Sequence, residues 1–177
     1  GFNKQYILLQ DKPIVAHTLE TFEKAQYIDD VILVVAKEEV TFAREKIIKK
    51  YNLRKVTKVI EGGEERQDSV YAGLLAVKED CQIVVIHDGA RPFVEEEMIK
   101  HSISLAAEFG AAIVAVPVKD TIKKVNSKGH VIDTPDRKEL WSIQTPQTFQ
   151  YDLLKKAHDD AQEKKIYVTD DAMMVER

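Results

Sequence analysis

Short apolar runs recur along this chain: "VILVV" (31–35), "VTKVI" (56–60), "IVVI" (83–86) and "AAIVAVPV" (111–118). Their length and their valine and isoleucine content are those of strands, and near-continuous apolarity suits strands covered on both faces. Between them the period becomes helical. "KPIVAHTLETFEKA" sets Ile14, Thr18 or Leu19 and Phe22 on one face behind a proline suited to a first turn. "EEVTFAREKIIKKY" and "ERQDSVYAGLLAV" read as two further helices, and "EEEMIKHSISLAAEF" as a fourth with Met98, Ile99, Ile103, Leu105 and Phe109 as its buried stripe. The order αβαβαβαβ predicts an α/β fold, an open and mostly parallel sheet with helices on both faces. Ligands in that architecture sit beyond the carboxyl ends of the strands.

A length of 177 residues with 44% hydrophobic and 32% charged content is that of one domain, residues 1–177, with a sizeable core. The net charge of −4 gives no global case for nucleic acid or an anionic membrane, so any anion site has to be local. No apolar run approaches the roughly 18 residues of a membrane helix. Cys81 is the sole cysteine, which excludes an intrachain disulfide and points to a reducing cytoplasm. His17, His101, His130 and His158 lack metal-ligand spacing, which argues against zinc. The chain opens on Gly1 without a basic-then-apolar leader and closes at Arg177 with a helical pattern still running. A piece is therefore expected to be missing at each end.

The segment 119–149 departs from this pattern. "TIKKV" and "HVIDT" flank "NSKG" and read as a β-hairpin, part of an arm over 118–142 that projects from the sheet. Such an arm exposes both faces unless covered, and a second copy of the chain is the expected cover.

Four stretches carry candidate chemistry. In "EGGEERQDSV" (61–70), Gly62 and Gly63 leave a strand and Arg66, Gln67, Asp68 and Ser69 open a helix. Free N–H groups there suit an anion or a base edge, although a tight turn capped by Asp68 or Ser69 reads equally well. In "HDGARP", Asp88 suits a divalent cation or a substrate hydroxyl, Gly89 lets the chain turn, and Arg91 has the fork that grips phosphate. Asp88 and Arg91 can instead pair and brace the turn before Pro92. Lys4 suits triphosphate oxygens, or is simply a solvated lysine. Thr121, Arg137 and Thr145 offer phosphate donors on and beyond a charged arm. In "VTDDAMM", Thr169 reads as a helix cap, with Asp170 and Asp171 serving the helix dipole.

Taken in order, "KQY", "KPIVAHTLETF", "GGEERQDSVYAGL", "HDGARPFV", "VPVKDTIK", "LWSIQTPQTF" and "TDDA" resemble the 2-C-methyl-D-erythritol 4-phosphate cytidylyltransferases over almost the whole chain. The resemblance implies a Rossmann-like nucleotidyltransferase fold and transfer of CMP from CTP to a sugar-alcohol phosphate with release of pyrophosphate. It also implies Mg²⁺ and a homodimer whose β-arm reaches the neighbour's site. By motif, Lys4 would neutralise CTP phosphates, and Gly63, Glu64 and Ser69 would read the cytosine. Asp88, Gly89 and Arg91 would bind the methylerythritol phosphate and the metal-bound phosphates, Asp88 being the one candidate metal ligand. Thr121 and Arg137 would cross from the arm to clamp the substrate phosphate, and Thr145 would add a contact. The family's Gly-rich loop and its preceding strand, ahead of "KQ", and a late lysine-bearing segment have no counterpart here. A ribitol 5-phosphate cytidylyltransferase and a non-catalytic nucleotide-binding module are the alternatives.

Overall fold

The structure is a computed structural model that describes residues 3–168 and 170–177. After a 3₁₀ turn at Lys4–Tyr6, the two-residue strands β1 (Leu8–Leu9) and β2 (Lys12–Pro13) make a small hairpin. α1 (Ile14–Lys24) follows, with its buried face made of Val15, Ala16, Thr18, Leu19 and Phe22. β3 (Val31–Val35) pairs in parallel with β4 (Val56–Glu61). The helical segment between them is irregular: a 3₁₀ turn, α2 (Val40–Phe42) and then wide π turns over Ala43–Ile48 that bury Ala43 and Ile47. α3 (Arg66–Ala76) leads to β5 (Ile83–Ile86), and α4 (Glu96–Phe109) to β6 (Ala111–Pro117).

β9 (Trp141–Gln150) lies between β5 and β6 and is antiparallel to both, so β5 and β6 run the same way. The helix start after β4 meets the loop after β5, where Arg66 lies 3.8 Å from Asp88, so β4 and β5 end at a common edge. Four strands thus share one direction, as expected. The expectation of a mostly parallel sheet is corrected at the level of pairing, because β9 inserts and makes its ladders antiparallel. The helices take both faces. Val84 packs with Leu74 of α3 and with Leu154 of α5 (Tyr151–Lys164), while Val85 packs with Phe22 of α1 and Ile99 of α4. This alternation explains why "IVVI" is apolar at every position.

Among the described residues the strands form separate ladders, and β3 and β5 face each other across a slot of about 1010 Å³. Its walls are mostly apolar, with Val31, Leu33, Val84 and Ile86 among them, and both ends are polar, with Arg66, His87 and Asp88 at the carboxyl end and Asp29, Asp30, Lys78 and Asp80 at the other.

The projecting hairpin is shorter than expected: β7 (Lys124–Val125) pairs with β8 (Val131–Asp133). Asn126 closes the turn, its side-chain oxygen accepting from the N–H groups of Lys128 and His130 at 3.0 Å each. Gly129 sits there at φ 79°, in the left-handed region that favours glycine. A last helix, α6 (Asp171–Val175), packs against α5.

The buried stripe of α4 differs from its sequence reading. Ile99, Ser102 and Ala106 are buried, whereas Met98, Leu105 and Phe109 are exposed. The helix turns its small residues to β9, where Thr148 donates to or accepts from Ser102 at 2.8 Å between the hydroxyls, leaving no room for larger side chains. Ile99→Ala is expected to cost about 2–5 kcal/mol of stability and Phe109→Ala less than about 1 kcal/mol. Urea unfolding midpoints of the two variants check this; the reverse order would restore the sequence-read stripe.

Candidate active site

The common edge of β4 and β5 carries most of the predicted site. Leaving β4, Gly62 and Gly63 pass so close to the start of α3 that a Cβ on Gly62 would lie 2.5 Å from Ser69 Oγ, and one on Gly63 would collide with Asp68. The glycine pair therefore has a packing cause of its own. The helix cap is Glu65, not Asp68 or Ser69: Asp68, three positions on, accepts from the Glu65 N–H at 3.2 Å as half of a capping box. Ser69 Oγ accepts from Gly63 N–H and donates to the Glu65 carbonyl, each at 3.2 Å, so it braces the loop that would meet a base. Glu64 is exposed on that loop.

After β5 the chain turns through His87, Asp88, Gly89 and Arg91. Asp88 Oδ2 accepts from Arg91 Nε at 2.9 Å, and its Oδ1 lies 3.8 Å from Arg66 Nε. The Asp88 N–H donates to Thr145 Oγ1 at 3.2 Å, and Arg91 also donates to Gln144. The pairing of Asp88 with Arg91 is real, and it coexists with a position at the crevice. Gly89 is not in the left-handed region, and a Cβ there would make only ordinary contact with Val15 at 3.4 Å. The chain does turn here, with Arg91 N–H donating to the Asp88 carbonyl at 3.0 Å, but the turn does not require glycine's freedom, and the Gly89 carbonyl accepts from Thr18 Oγ1 at 2.9 Å.

His87 is mostly buried against Phe22, ring centroids 5.2 Å apart, and its Nε2 lies 3.0 Å from the Arg91 carbonyl. Burial pushes its imidazole below the usual histidine range, outweighing the Arg91 carbonyl and the Asp88 charge.

Lys4 is exposed and makes no ion pair among the described residues. Its turn reaches the slot through Gln5. Glu39 holds that turn, accepting from Asn3, from Gln5 at 3.4 Å and from Tyr6 Oη at 3.3 Å. Burial and the Glu39 carboxylate raise the Tyr6 phenol well above its ordinary value.

Thr121 and Arg137 stand apart from this edge. Both are exposed, and Arg137 donates to the Lys119 carbonyl at 3.1 Å within its own arm. One protomer thus brings Asp88, Gly89, Arg91, Thr145 and the Gly63–Ser69 loop together, and leaves the arm residues outside.

Sequence reading missed Arg66 and Asp171 as site elements. Asp171, expected to serve the helix dipole, is instead 1% exposed, accepting from Arg66 Nη1 at 2.6 Å with its other oxygen 3.3 Å from His158 Nε2. Burial alone would raise its carboxyl, but the His158 bond and the Arg66 charge hold it below the usual carboxylate range. Thr169, expected to cap this helix, lies outside the described residues; Asp170 is the cap, accepting from Met173 N–H at 2.8 Å. A signal was available: an arginine at the first position of α3 opposes the helix dipole and so calls for an acid from elsewhere.

Co-directed strands ending in a rim of guanidinium, carboxylate and hydroxyl define an α/β protein with a polar crevice at the carboxyl edge of its strands. The family profile of 2-C-methyl-D-erythritol 4-phosphate cytidylyltransferase matches residues 1–177. Proteins so named from Alkaliphilus metalliredigens and Alkaliphilus oremlandii are 53% and 55% identical, each over 99% of this chain and over 73% and 74% of their own lengths. The crystal structure of 4-diphosphocytidyl-2C-methyl-D-erythritol synthase from Anaerococcus prevotii superposes with a TM-score of 0.89 at 30% identity, covering 99% of this chain and 76% of that one. The chain belongs to the 2-C-methyl-D-erythritol 4-phosphate cytidylyltransferase family, whose members are nucleotidyltransferases.

His87 makes stability depend on pH. Its folded-state value is lowered, so between that value and about 6.5 the unfolded chain binds the proton that the folded chain refuses. Stability is full above about 6.5 and falls as the pH drops below it. Denaturant melts of the wild type and His87→Gln between roughly pH 7.5 and 5 are expected to differ in slope, with the histidine-linked part gone in the variant.

Proposed function

We propose that this chain transfers CMP from CTP to 2-C-methyl-D-erythritol 4-phosphate with release of pyrophosphate, a step of isoprenoid biosynthesis. Family membership names the reaction, and the observation that carries its placement is the Asp88–Arg91–Thr145 cluster at the carboxyl edge beside Arg66. An oxygen of the substrate phosphate attacks the α-phosphorus of CTP, and the bond from that phosphorus to the bridging oxygen of the leaving pyrophosphate breaks. A phosphate monoester is largely dianionic near neutral pH, so no protein base is needed to ionise the nucleophile. What remains for the protein is alignment and relief of charge crowding.

Arg91 and Asp88, with Gly89, form the rim that receives substrate phosphate, and Thr145 fixes the Asp88 backbone against it. The Gly63–Ser69 loop, with Glu64 contributing through its backbone, faces the cytosine. Lys4 neutralises the triphosphate and the developing pyrophosphate, a role supported by its exposed side chain on a turn that lines the slot through Gln5. Among the described residues no three His, Cys, Asp or Glu side chains cluster as a metal cage. Asp88, with Oδ2 held by Arg91 and Oδ1 facing Arg66 at 3.8 Å, would offer at most one oxygen to Mg²⁺ held mainly by substrate phosphates. Bound there, the cation would offset phosphate charge.

The arm is assigned to a homodimer, in which Thr121 and Arg137 reach the neighbour's substrate phosphate. Its support is the exposure of Ile122, Val125, Val131, Ile132 and Trp141 on one projecting segment. A cytoplasmic location accords with the absence, among the described residues, of any helix long and apolar enough to cross a membrane. The slot between β3 and β5 is assigned to one further strand of a longer polypeptide. Both facing edges are unpaired among the described residues, the walls are apolar, and the relatives are matched over only 73% and 74% of their lengths. Amides of β3 and β5 are expected to exchange quickly in the 177-residue chain and to gain protection in a version extended to the relatives' length; equal exchange in both would sink this assignment.

Pyrophosphate release is expected with CTP, Mg²⁺ and 2-C-methyl-D-erythritol 4-phosphate, and not with ribitol 5-phosphate in its place. Release with ribitol 5-phosphate alone would move the substrate, and release with neither would leave a nucleotide-binding module. Lys4→Ala and Arg137→Ala are each expected to cost about 2–4 kcal/mol of transition-state stabilisation with the melting temperature nearly unchanged. A normal rate in a variant that melts early would refute the role.

A further inference from the structure

We propose that Arg66 and Asp171 are positioning residues that set the Asp88 carboxylate, anchored by a buried pair with His158; the inference rests on the cytidylyl-transfer reading above. His158 is fully buried and Asp171 is 1% exposed, so neither can turn toward water. Asp171 spends one oxygen on His158 at 3.3 Å and the other on Arg66 Nη1 at 2.6 Å. The guanidinium is planar, so fixing Nη1 also fixes the direction of Nε, which lies 3.8 Å from Asp88 Oδ1. Asp88 is thereby flanked by two arginines, Arg91 from its own loop on Oδ2 and Arg66 from the facing helix start on Oδ1.

Three helices lock this arrangement. Arg66 opens α3, where the helix dipole disfavours a cation and only a specific acid partner holds it. The next residue, Gln67, is buried; its amide donates to the Ile166 carbonyl at 2.9 Å and accepts from Val168 N–H at 3.1 Å, tying α3 to the segment that leads into α6. His158 comes from α5, and its ring stacks on Tyr71 of α3 with centroids 5.8 Å apart. The place of Asp88 thus depends on side chains from elements distant in sequence. Without Arg66, Asp88 Oδ1 loses its facing charge and the carboxylate is free to rotate about its bond to Arg91.

The test is a double-mutant cycle read in pyrophosphate release with CTP, Mg²⁺ and 2-C-methyl-D-erythritol 4-phosphate, with kcat, KM and melting temperature recorded for each variant. Arg66→Gln is expected to lower kcat/KM about tenfold or more in the native background, but less than about threefold when Asp88→Asn is already present. Arg66→Lys is expected to restore little, since a single ammonium cannot serve both carboxylates as the fork does. Should Arg66→Gln fail to fold, the same cycle run with Asp171→Asn carries the test. Equal fold losses in the two backgrounds would overturn the inference, as would a variant whose only defect is its melting temperature. An inactive wild type would instead sink the reaction reading, and the positioning role with it, whereas an active wild type with additive losses sinks the positioning role alone.

Discussion

The insertion of β9 between β5 and β6 is the constraint on which the site depends. β9 pairs antiparallel with β6 at both its ends and with β5 over Gln147–Gln150, where the period-two alternation of a strand couples what each face does. Phe149 enters the core shared with Leu74 and Leu154, which turns Thr148 to Ser102 of α4. Gln144 and Thr145 reach Arg91 and Asp88 from the irregular stretch just before Gln147, where the register of β9 against β6 shifts between Ile113 and Ala115. A slip of one residue would send the aromatic side chain to the wrong helix layer and remove the hydroxyl from the Asp88 backbone. Packing deep in the sheet is thus set by the register of 147–150, and polar geometry at its edge by the shift beside it.

The charges at that edge divide into two kinds. Asp88 and Arg91 are partly exposed, and pairs of that kind contribute little to stability because water screens them. Asp171 and His158 are buried, where ionic groups are costly unless well partnered. Arg66 belongs to both groups, reaching from the buried acid to the exposed one. An arrangement that spends buried polar groups on orienting a surface cluster makes better sense as support for phosphate chemistry than as a source of stability.

Much of the molecule's apolar surface is still uncovered in the single chain. The arm turns aliphatic side chains and Trp141 to solvent, and the edges of β3 and β5 face an apolar slot. Exposed sheet edges and apolar arms invite pairing. A second protomer and an added strand are the covers proposed for them. They would act at opposite ends of the problem, one completing the substrate clamp through Arg137 and the other joining the sheet beneath the phosphate rim.

The alternation of strand-like and helix-like periods was enough to place α1, β3, β4, α3, β5, α4 and β6, because both periodicities are local and burial on two faces leaves runs such as "IVVI" no polar position. The motif "HDGARP" likewise announced a charged strand end, and Asp88 and Arg91 lie there. The sequence could not show that β9 enters the sheet, because antiparallel pairing with a strand more than sixty residues away depends on register and not on composition. Nor could it show which side of α4 is buried, since the small residues Ser102 and Ala106 carry no hydrophobic signal of their own. The union of Arg66 with Asp171 was hidden for the same reason: each reads locally as an ordinary terminal charge, and only the packing of α3, α5 and α6 brings them to 2.6 Å. Sequence by itself determined the elements, their common direction and the residue types at the carboxyl edge, whereas tertiary structure decided which of those side chains meet, because long-range contacts are fixed by packing rather than by neighbouring residues.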